Sequence, residues 1–260
     1  MLLVFFDSFP KPSERFLHRD LEGLLERCAG VRLGALRRVY DEPPPFPVNS
    51  IYGNEASICD LLAGLFCPVF YACAFSALFR LGPCAFLFLL RRFGALRCIA
   101  KETPLPGRVH SMHGGWCGLA AWVLARRMRV PFSFSCHARD VFVQKRLLKF
   151  LLRRADHVIT CNSKANAVVR EAAPGACRSY FIPHPVSEPF RKRSSEGGYL
   201  LAAGLTGPQK GLSQPPAGFR DDTRATSVRR TQDSRCYGGA VGRSSAGSFA
   251  ARLRLALRNG

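Results

Sequence analysis

The sequence is short of acidic side chains, and this shortage limits its possible partners. Its 260 residues contain 18 Asp and Glu against 38 Lys and Arg, which gives a net charge of +20 at pH 7. Such a surface favours anionic partners, meaning nucleic acid, acidic lipid headgroups or nucleotide phosphates. The interleaved basic and aromatic residues of nucleic-acid binders are missing. We therefore expect no nucleic-acid partner and keep a basic nucleic-acid-binding protein only as a remote alternative.

Closely spaced cysteine pairs are also absent. None of the eleven cysteines forms a C-x-x-C pair, and most lie in apolar runs. This pattern is typical of reduced, buried thiols in a cytosolic protein and does not indicate a disulfide framework. His110, His113 and His137 come nearest to a metal-ligand set, but no cysteine or carboxylate clearly completes it. We therefore expect no metal and a cytoplasmic location.

Long uninterrupted apolar runs are scarce as well. The opening run Leu2–Phe6 is too short for the apolar region of a signal peptide and has no basic segment before it. Pro68 and Pro83 break the very apolar stretch Ile58–Leu90 into pieces shorter than the roughly 20 residues that a transmembrane helix needs. We expect a helical hairpin that packs on a sheet or dips into the membrane interface, with a true span as the alternative.

The sequence does contain short apolar strands that alternate with helices. Strands are predicted at 2–6, 31–36, 108–113, 131–136, 156–161 and 180–182, and helices at 14–28, 118–128, 144–154 and 163–171. This alternation predicts an α/β fold with a doubly wound, Rossmann-like parallel sheet.

Two successive strands of this predicted sheet end in polar side chains. His110 and His113 lie at the end of one strand, and His137 and Asp140 follow the next. A parallel sheet places the carboxyl ends of its strands along one edge, where open α/β sheets bind ligands. These residues therefore form a candidate site, and the competing interpretation is that the histidines only pack in the core or cap helices.

The segment Gln144–Arg154 is a basic amphipathic helix, with leucines on one side and Lys and Arg on the other. Two interpretations fit this pattern. It is either an ordinary solvated helix face or a surface for an anionic membrane.

The composition changes twice in the C-terminal part. Residues 183–195 are rich in proline and charge, as in a linker, and a new apolar strand begins at Tyr199. From Ser213 to Gly260 there is no Lys or Glu and there are nine Arg, which predicts a disordered basic tail. We expect a domain at 1–190, a linker and the first strand of an incomplete second domain at 191–212, and a tail at 213–260 that looks frameshifted or truncated.

Taken in order, the motifs resemble family 4 glycosyltransferases, in particular those of colanic acid and other exopolysaccharide pathways. The matching segments are Phe9–Phe16 (FPKPSERF), the strand end His110–His113, Pro131–Asp140 (PFSFSCHARD), Ala155–Cys161 (ADHVITC), Ile182–Val186 (IPHPV) and Gly204–Gly211 (GLTGPQKG). The resemblance implies the N-terminal, acceptor-binding half of a GT-B architecture, in which two Rossmann-like domains face each other across a cleft. It also implies retaining transfer from a nucleotide-diphosphate sugar to a polysaccharide or lipid-linked acceptor, without a cofactor, at the inner face of the cytoplasmic membrane.

The resemblance further assigns roles to single residues. His137 is the expected catalytic histidine near the transferred sugar. The expected acceptor-binding residues are Ser13, Glu14, His110, His113 and Asp140, and the expected donor-binding residues are Lys210 and His184.

The sequence also departs from the family pattern. Leu205 stands where the family has Arg, and no counterpart of the family's paired glutamates follows Gly211. We therefore expect this chain to be incomplete and inactive, with an inactive acceptor- or membrane-binding fragment as the alternative.

Overall fold

A single parallel sheet forms the centre of the computed structural model, which describes residues 1–11, 14–39, 46 and 48–184. Seven strands lie in the order β3-β2-β1-β4-β5-β6-β7, and every neighbouring pair is parallel. The strands are β1 (Leu2–Phe9), β2 (Val31–Arg38), β3 (Ser50–Tyr52), β4 (Arg108–Ser111), β5 (Phe132–Cys136), β6 (His157–Thr160) and β7 (Arg178–Phe181). The strand order reverses between β1 and β4, which creates the crevice where sheets of this kind bind ligands.

Helices cover both faces of the sheet. They are α1 (Arg15–Leu25), α2 (Ile58–Leu65), α3 (Pro68–Leu81), α4 (Pro83–Leu90), α5 (Phe93–Glu102), α6 (Gly115–Met128), α7 (Ala138–Phe142), α8 (Lys145–Leu152) and α9 (Ser163–Ala172). Alternate residues of β1 enter two separate apolar clusters, because successive side chains of a strand point to opposite faces. Leu3 and Phe5 pack with α3, α5 and α6, whereas Val4 and Phe6 pack with α1. The predicted doubly wound α/β sheet is therefore confirmed.

The apolar stretch Ile58–Leu90 is helical, as predicted, but it forms three helices rather than a hairpin. Pro68 and Pro83 are the first residues of α3 and α4. Proline is favoured there because the first backbone N–H groups of a helix have no partner within the helix. Among the described residues no single helix is long and apolar enough to cross a membrane. The pair α2 and α3, bent by 66° at the break, does pass that test of length and composition when taken together.

Three further elements did not follow from the sequence patterns, namely β3, α5 and α7. The expected linker, second-domain strand and basic tail lie outside the described residues, and so do Ser13 and Lys210.

Candidate functional site

Residues that follow four different strands meet at the carboxyl edge of the sheet. Glu14 begins the turn into α1 after β1, His113 follows β4, His137 follows β5 and His184 follows β7. The ring of His137 lies at the centre, with centroid distances of 5.2 Å to His113 and 5.4 Å to His184, on which it stacks. Phe16 closes one side at 5.5 Å from His137. Four of the sequence-predicted residues, Glu14, His113, His137 and His184, are thus brought together beside the β1–β4 crevice.

Asp140 is held in place by two backbone N–H groups. Its Oδ2 atom accepts hydrogen bonds from the amide of His137 at 3.0 Å and from the amide of Gly114 at 3.2 Å. Burial raises the pKa of this carboxyl above its ordinary value, and the two amides oppose that rise. The second contact requires glycine at the β4–α6 turn. A Cβ atom on Gly114 would lie 3.1 Å from the Asp140 carboxyl carbon, and one on Gly115, whose φ is +55°, would collide with Gln144.

Glu14 and His113 form a hydrogen-bonded pair. The Nε2 atom of His113 lies 3.0 Å from Glu14 Oε2, and the other carboxylate oxygen of Glu14 pairs with Lys11. Burial alone would raise the pKa of Glu14, but the hydrogen bonds from His113 and Lys11 outweigh it and lower the pKa to about 2. Glu14 is therefore ionised at neutral pH. Its contact with Nε2 holds the His113 ring in place, so that Nδ1 is the ring nitrogen not used by Glu14.

His137 is neutral at physiological pH. Burial, together with the neighbouring His113 and His184, lowers its pKa to about 3. Its Nδ1 atom is buried and lies 3.9 Å from Asp140 Oδ2, and the two residues together form the N-terminal capping box of α7. A neutral imidazole has one ring nitrogen that donates a hydrogen bond and one that accepts, so the ring can pair with a hydroxyl group.

His184 is positively charged, unlike His137. Its Nδ1 atom lies 2.8 Å from Oδ2 of Asp20, which is buried on α1. Burial would lower the pKa of His184, but the hydrogen bond to Asp20, supported by Cys161, raises it to about 9. The edge therefore carries one neutral and one cationic imidazole in stacked contact.

His110 does not reach this cluster. It is almost completely buried, and its Nδ1 and Nε2 atoms lie 2.9 Å and 3.1 Å from the hydroxyl oxygens of Ser133 and Ser135 on β5. Burial lowers its pKa to about 3. Both ring nitrogens of His110 thus contact serine hydroxyls of the neighbouring strand. His110 packs in the core, as one of the two interpretations of the sequence expected, and does not join the site.

The sequence patterns did not identify two residues that support the site, Phe16, which lies against His137, and Asp20, which pairs with His184. A signal was present, because Asp20 lies on the same helix face as Leu17, Leu21 and Leu24, all of them buried. A carboxylate on an otherwise apolar helix face indicates a buried partner.

Comparisons with solved structures give the following likeness. HepE from Anabaena has been solved with UDP and glucose, with UDP-glucose and with UDP, and the three structures are 13%, 13% and 14% identical to this chain, with TM-scores of 0.42, 0.42 and 0.43. The alignments cover 72% of this chain and 45%, 44% and 45% of HepE, so the chain spans less than half the length of that protein. No curated protein matches the chain.

A family model does match. The match begins in α2 and ends just after His184, so it includes His113, His137 and Asp140. Residues 64–188, just under half of the chain, are similar to Glycosyltransferase Family 4.

Proposed function

We propose that this chain carries the acceptor-binding domain of a glycosyltransferase. The reaction would move a sugar from a nucleotide-diphosphate sugar to a polysaccharide or lipid-linked acceptor with retention of configuration. The observation that carries the proposal is the cluster of Glu14, His113, His137 and Asp140 at the sheet edge. Three of its members lie within residues 64–188, the segment that matches Glycosyltransferase Family 4.

The cluster has the chemistry that a sugar hydroxyl requires. The neutral His137 offers a partly exposed imidazole ring, and the ionised Glu14 offers a carboxylate acceptor. Asp140 contributes a second carboxyl group whose position is fixed by backbone amides. Preorganised groups of this kind lose little freedom when a substrate binds, which favours a defined sugar orientation.

Positively charged side chains would bind the nucleotide-diphosphate sugar. His184, whose pKa of about 9 keeps it charged at neutral pH, and Lys210, outside the described residues, would face the diphosphate. Positive charge there offsets the charge that develops on the leaving group. Because no paired glutamates follow Gly211 in the sequence, we expect donor binding and turnover to be missing from this chain.

Membrane association is a second candidate function, and the exposed surface formed by α3 and α8 favours it. Phe75 and Phe79 on α3 are 46% and 82% exposed. Arg146 of the basic helix α8 donates a hydrogen bond to the Arg80 carbonyl at the end of α3, which places basic side chains beside this apolar surface. Exposed aromatic and basic side chains together favour the interface of an anionic membrane. This surface would hold the domain at the inner face of the membrane, near lipid-linked acceptors.

The test combines glycan binding with turnover. Purified chain is applied to an array of bacterial polysaccharide and lipid-linked oligosaccharide fragments, as the unaltered protein and as the variants His137→Ala and Asp140→Asn. We expect the unaltered chain to bind a subset of glycans and both variants to lose that binding, while Cys161→Ser, a neighbour of His184, retains it.

The same preparations are incubated with UDP- and GDP-sugars, and release of UDP or GDP is measured. Absence of glycan binding by a folded, unaltered chain would contradict the acceptor assignment. Nucleotide release would instead show that the chain is a complete enzyme and overturn the expectation of inactivity.

A further inference from the structure

Helices α3 and α6 and the end of α8 enclose a pocket that is separate from the cluster at the sheet edge. Its volume is about 540 Å³, which lies within the range of about 300–1,000 Å³ typical of small-molecule sites. Its lining includes an aromatic ring, a hydroxyl group and three cations, supplied by Trp122, Ser76, Arg126, Arg153 and Arg154. We propose that this pocket binds the phosphate group of an anionic membrane lipid.

The guanidinium group of Arg154 is held in place at the pocket wall. It stacks on the rings of Phe150 and Trp122, at 3.6 Å and 5.1 Å from their centroids. Nη1 donates a hydrogen bond to the Phe150 carbonyl at 3.1 Å, and Nη2 donates one to Ser76 Oγ at 3.2 Å. A guanidinium group has more N–H donors than these two bonds use. The planar, oriented group therefore suits the paired oxygens of a phosphate.

The charges around the pocket indicate an anionic ligand. No Asp or Glu is among the described residues that line it, and Arg126 and Arg153 are exposed to solvent. Burial lowers the pKa of Arg154, and repulsion from Arg80, Arg153 and Arg126 contributes to the decrease. A bound anion would offset this repulsion between like charges, whereas a neutral or cationic ligand would not.

The apolar surface beside the pocket indicates that the phosphate belongs to a lipid. Ala72 and Ser76 line the pocket from α3, and residues three and four positions apart share one side of a helix. The exposed rings of Phe75 and Phe79 therefore lie next to the pocket on the same helix. A soluble phosphate would not contact these rings, whereas the acyl region of a bilayer would cover them. This assignment rests on the membrane association proposed above, but it does not depend on sugar transfer.

Sedimentation with lipid vesicles tests the proposal. The full chain is mixed with vesicles of phosphatidylcholine alone or of phosphatidylcholine with phosphatidylglycerol, and the bound fraction is measured. We expect binding to the mixed vesicles only. Arg154→Lys keeps the charge but loses the planar fork, and the double variant Arg126→Gln with Arg153→Gln removes two exposed charges. Each of these two variants should weaken binding to the mixed vesicles at least about tenfold.

A matched control removes the same charge elsewhere. Arg19 and Lys164 are exposed and do not line the pocket, so Arg19→Gln with Lys164→Gln should change vesicle binding less than about twofold. Calorimetric titration with glycerol 3-phosphate at constant ionic strength separates a soluble phosphate from a lipid. We expect it to bind far more weakly than the mixed vesicles, because it does not contact the exposed rings. The pocket variants should retain glycan binding, since the pocket contains no residue of the sheet-edge cluster.

Three results would overturn the proposal. If Phe75→Ser with Phe79→Ser abolishes vesicle binding but both pocket variants retain it, the membrane association stands without a phosphate pocket. Equal losses in the pocket double variant and in the control would show attraction by net charge alone. Glycerol 3-phosphate that binds as tightly as the vesicles would assign the pocket to a soluble phosphate. Circular dichroism verifies folding, and the double variant of two exposed arginines is the one best suited to fold.

Discussion

Asp140 Oδ2 accepts hydrogen bonds from two backbone amides, that of Gly114 in the β4–α6 turn and that of His137 at the start of α7. Asp140→Ala should lower the free energy of unfolding by about 1–3 kcal/mol for each buried amide left unpaired. Asp140→Asn keeps an oxygen acceptor and should cost much less. Urea denaturation followed by circular dichroism measures both changes. The exposed pair of Asp7 and Arg37 provides the control, since Asp7→Ala should change stability by about 0–1 kcal/mol. Equal losses for all three variants would contradict this role of Asp140.

His110 should make stability depend on pH. Burial, with the nearby charges of Arg108 and His157, lowers its pKa to about 3 in the folded protein, against an ordinary value of 6.5. Between these two values the unfolded chain binds more protons, so stability should fall as the pH decreases from about 6.5 towards 3. His110→Gln removes this titration but keeps hydrogen-bonding groups for Ser133 and Ser135. Its free energy of unfolding should therefore change less with pH than that of the unaltered chain, and parallel pH profiles would disprove the assignment.

Helix α2 depends on its N-terminal cap. Ser57 Oγ accepts a hydrogen bond from the Asp60 amide at 3.2 Å, while Asp60 Oδ2 accepts from the Ser57 amide at 3.1 Å. This reciprocal arrangement satisfies two amides that the helix itself leaves unpaired. Ser57→Ala should therefore destabilise the protein by about 0.5–2 kcal/mol, as measured by chemical denaturation. Ser163→Ala is the matched control, because Asn162 rather than Ser163 caps α9, and it should have almost no effect.

Helices α2 and α5 approach each other closely at two glycines, one on each helix. A Cβ atom on Gly64 would lie 2.9 Å from the backbone carbonyl of Phe93, and one on Gly94 would lie 3.1 Å from Leu61 Cα. Gly64→Ala should thus destabilise the protein by about 1–3 kcal/mol through overpacking, even though alanine is the better helix former. In Gly107→Ala the added Cβ meets only one atom, at 3.5 Å, and thermal unfolding should change little. A stabilised Gly64→Ala protein would show that the two helices can separate.

The sheet was predictable from the sequence because its apolar strands alternate with helices, and the site edge followed from the parallel order. The pairing of His184 with Asp20 was not predictable, since the two residues lie 164 positions apart and meet only through packing of α1 on the sheet. The burial of His110 depends on serines of the adjacent strand, which sequence spacing does not reveal. Strand β3 is three residues long and gives no periodic pattern. Helix α5 did carry a signal, because Phe93, Leu96 and Ile99 are buried at three-residue spacing.

The assignment of an acceptor-binding edge is tested most directly by nuclear magnetic resonance of the histidine rings. The chain has six histidines, few enough to resolve individually after isotope labelling. Titration with a glycan identified on the array should shift the ring signals of His113 and His137, whereas those of the buried His110 and His157 should stay in place. Shifts confined to histidines outside the cluster, or no shift at saturating glycan, would contradict a sugar-binding site at this edge of the sheet.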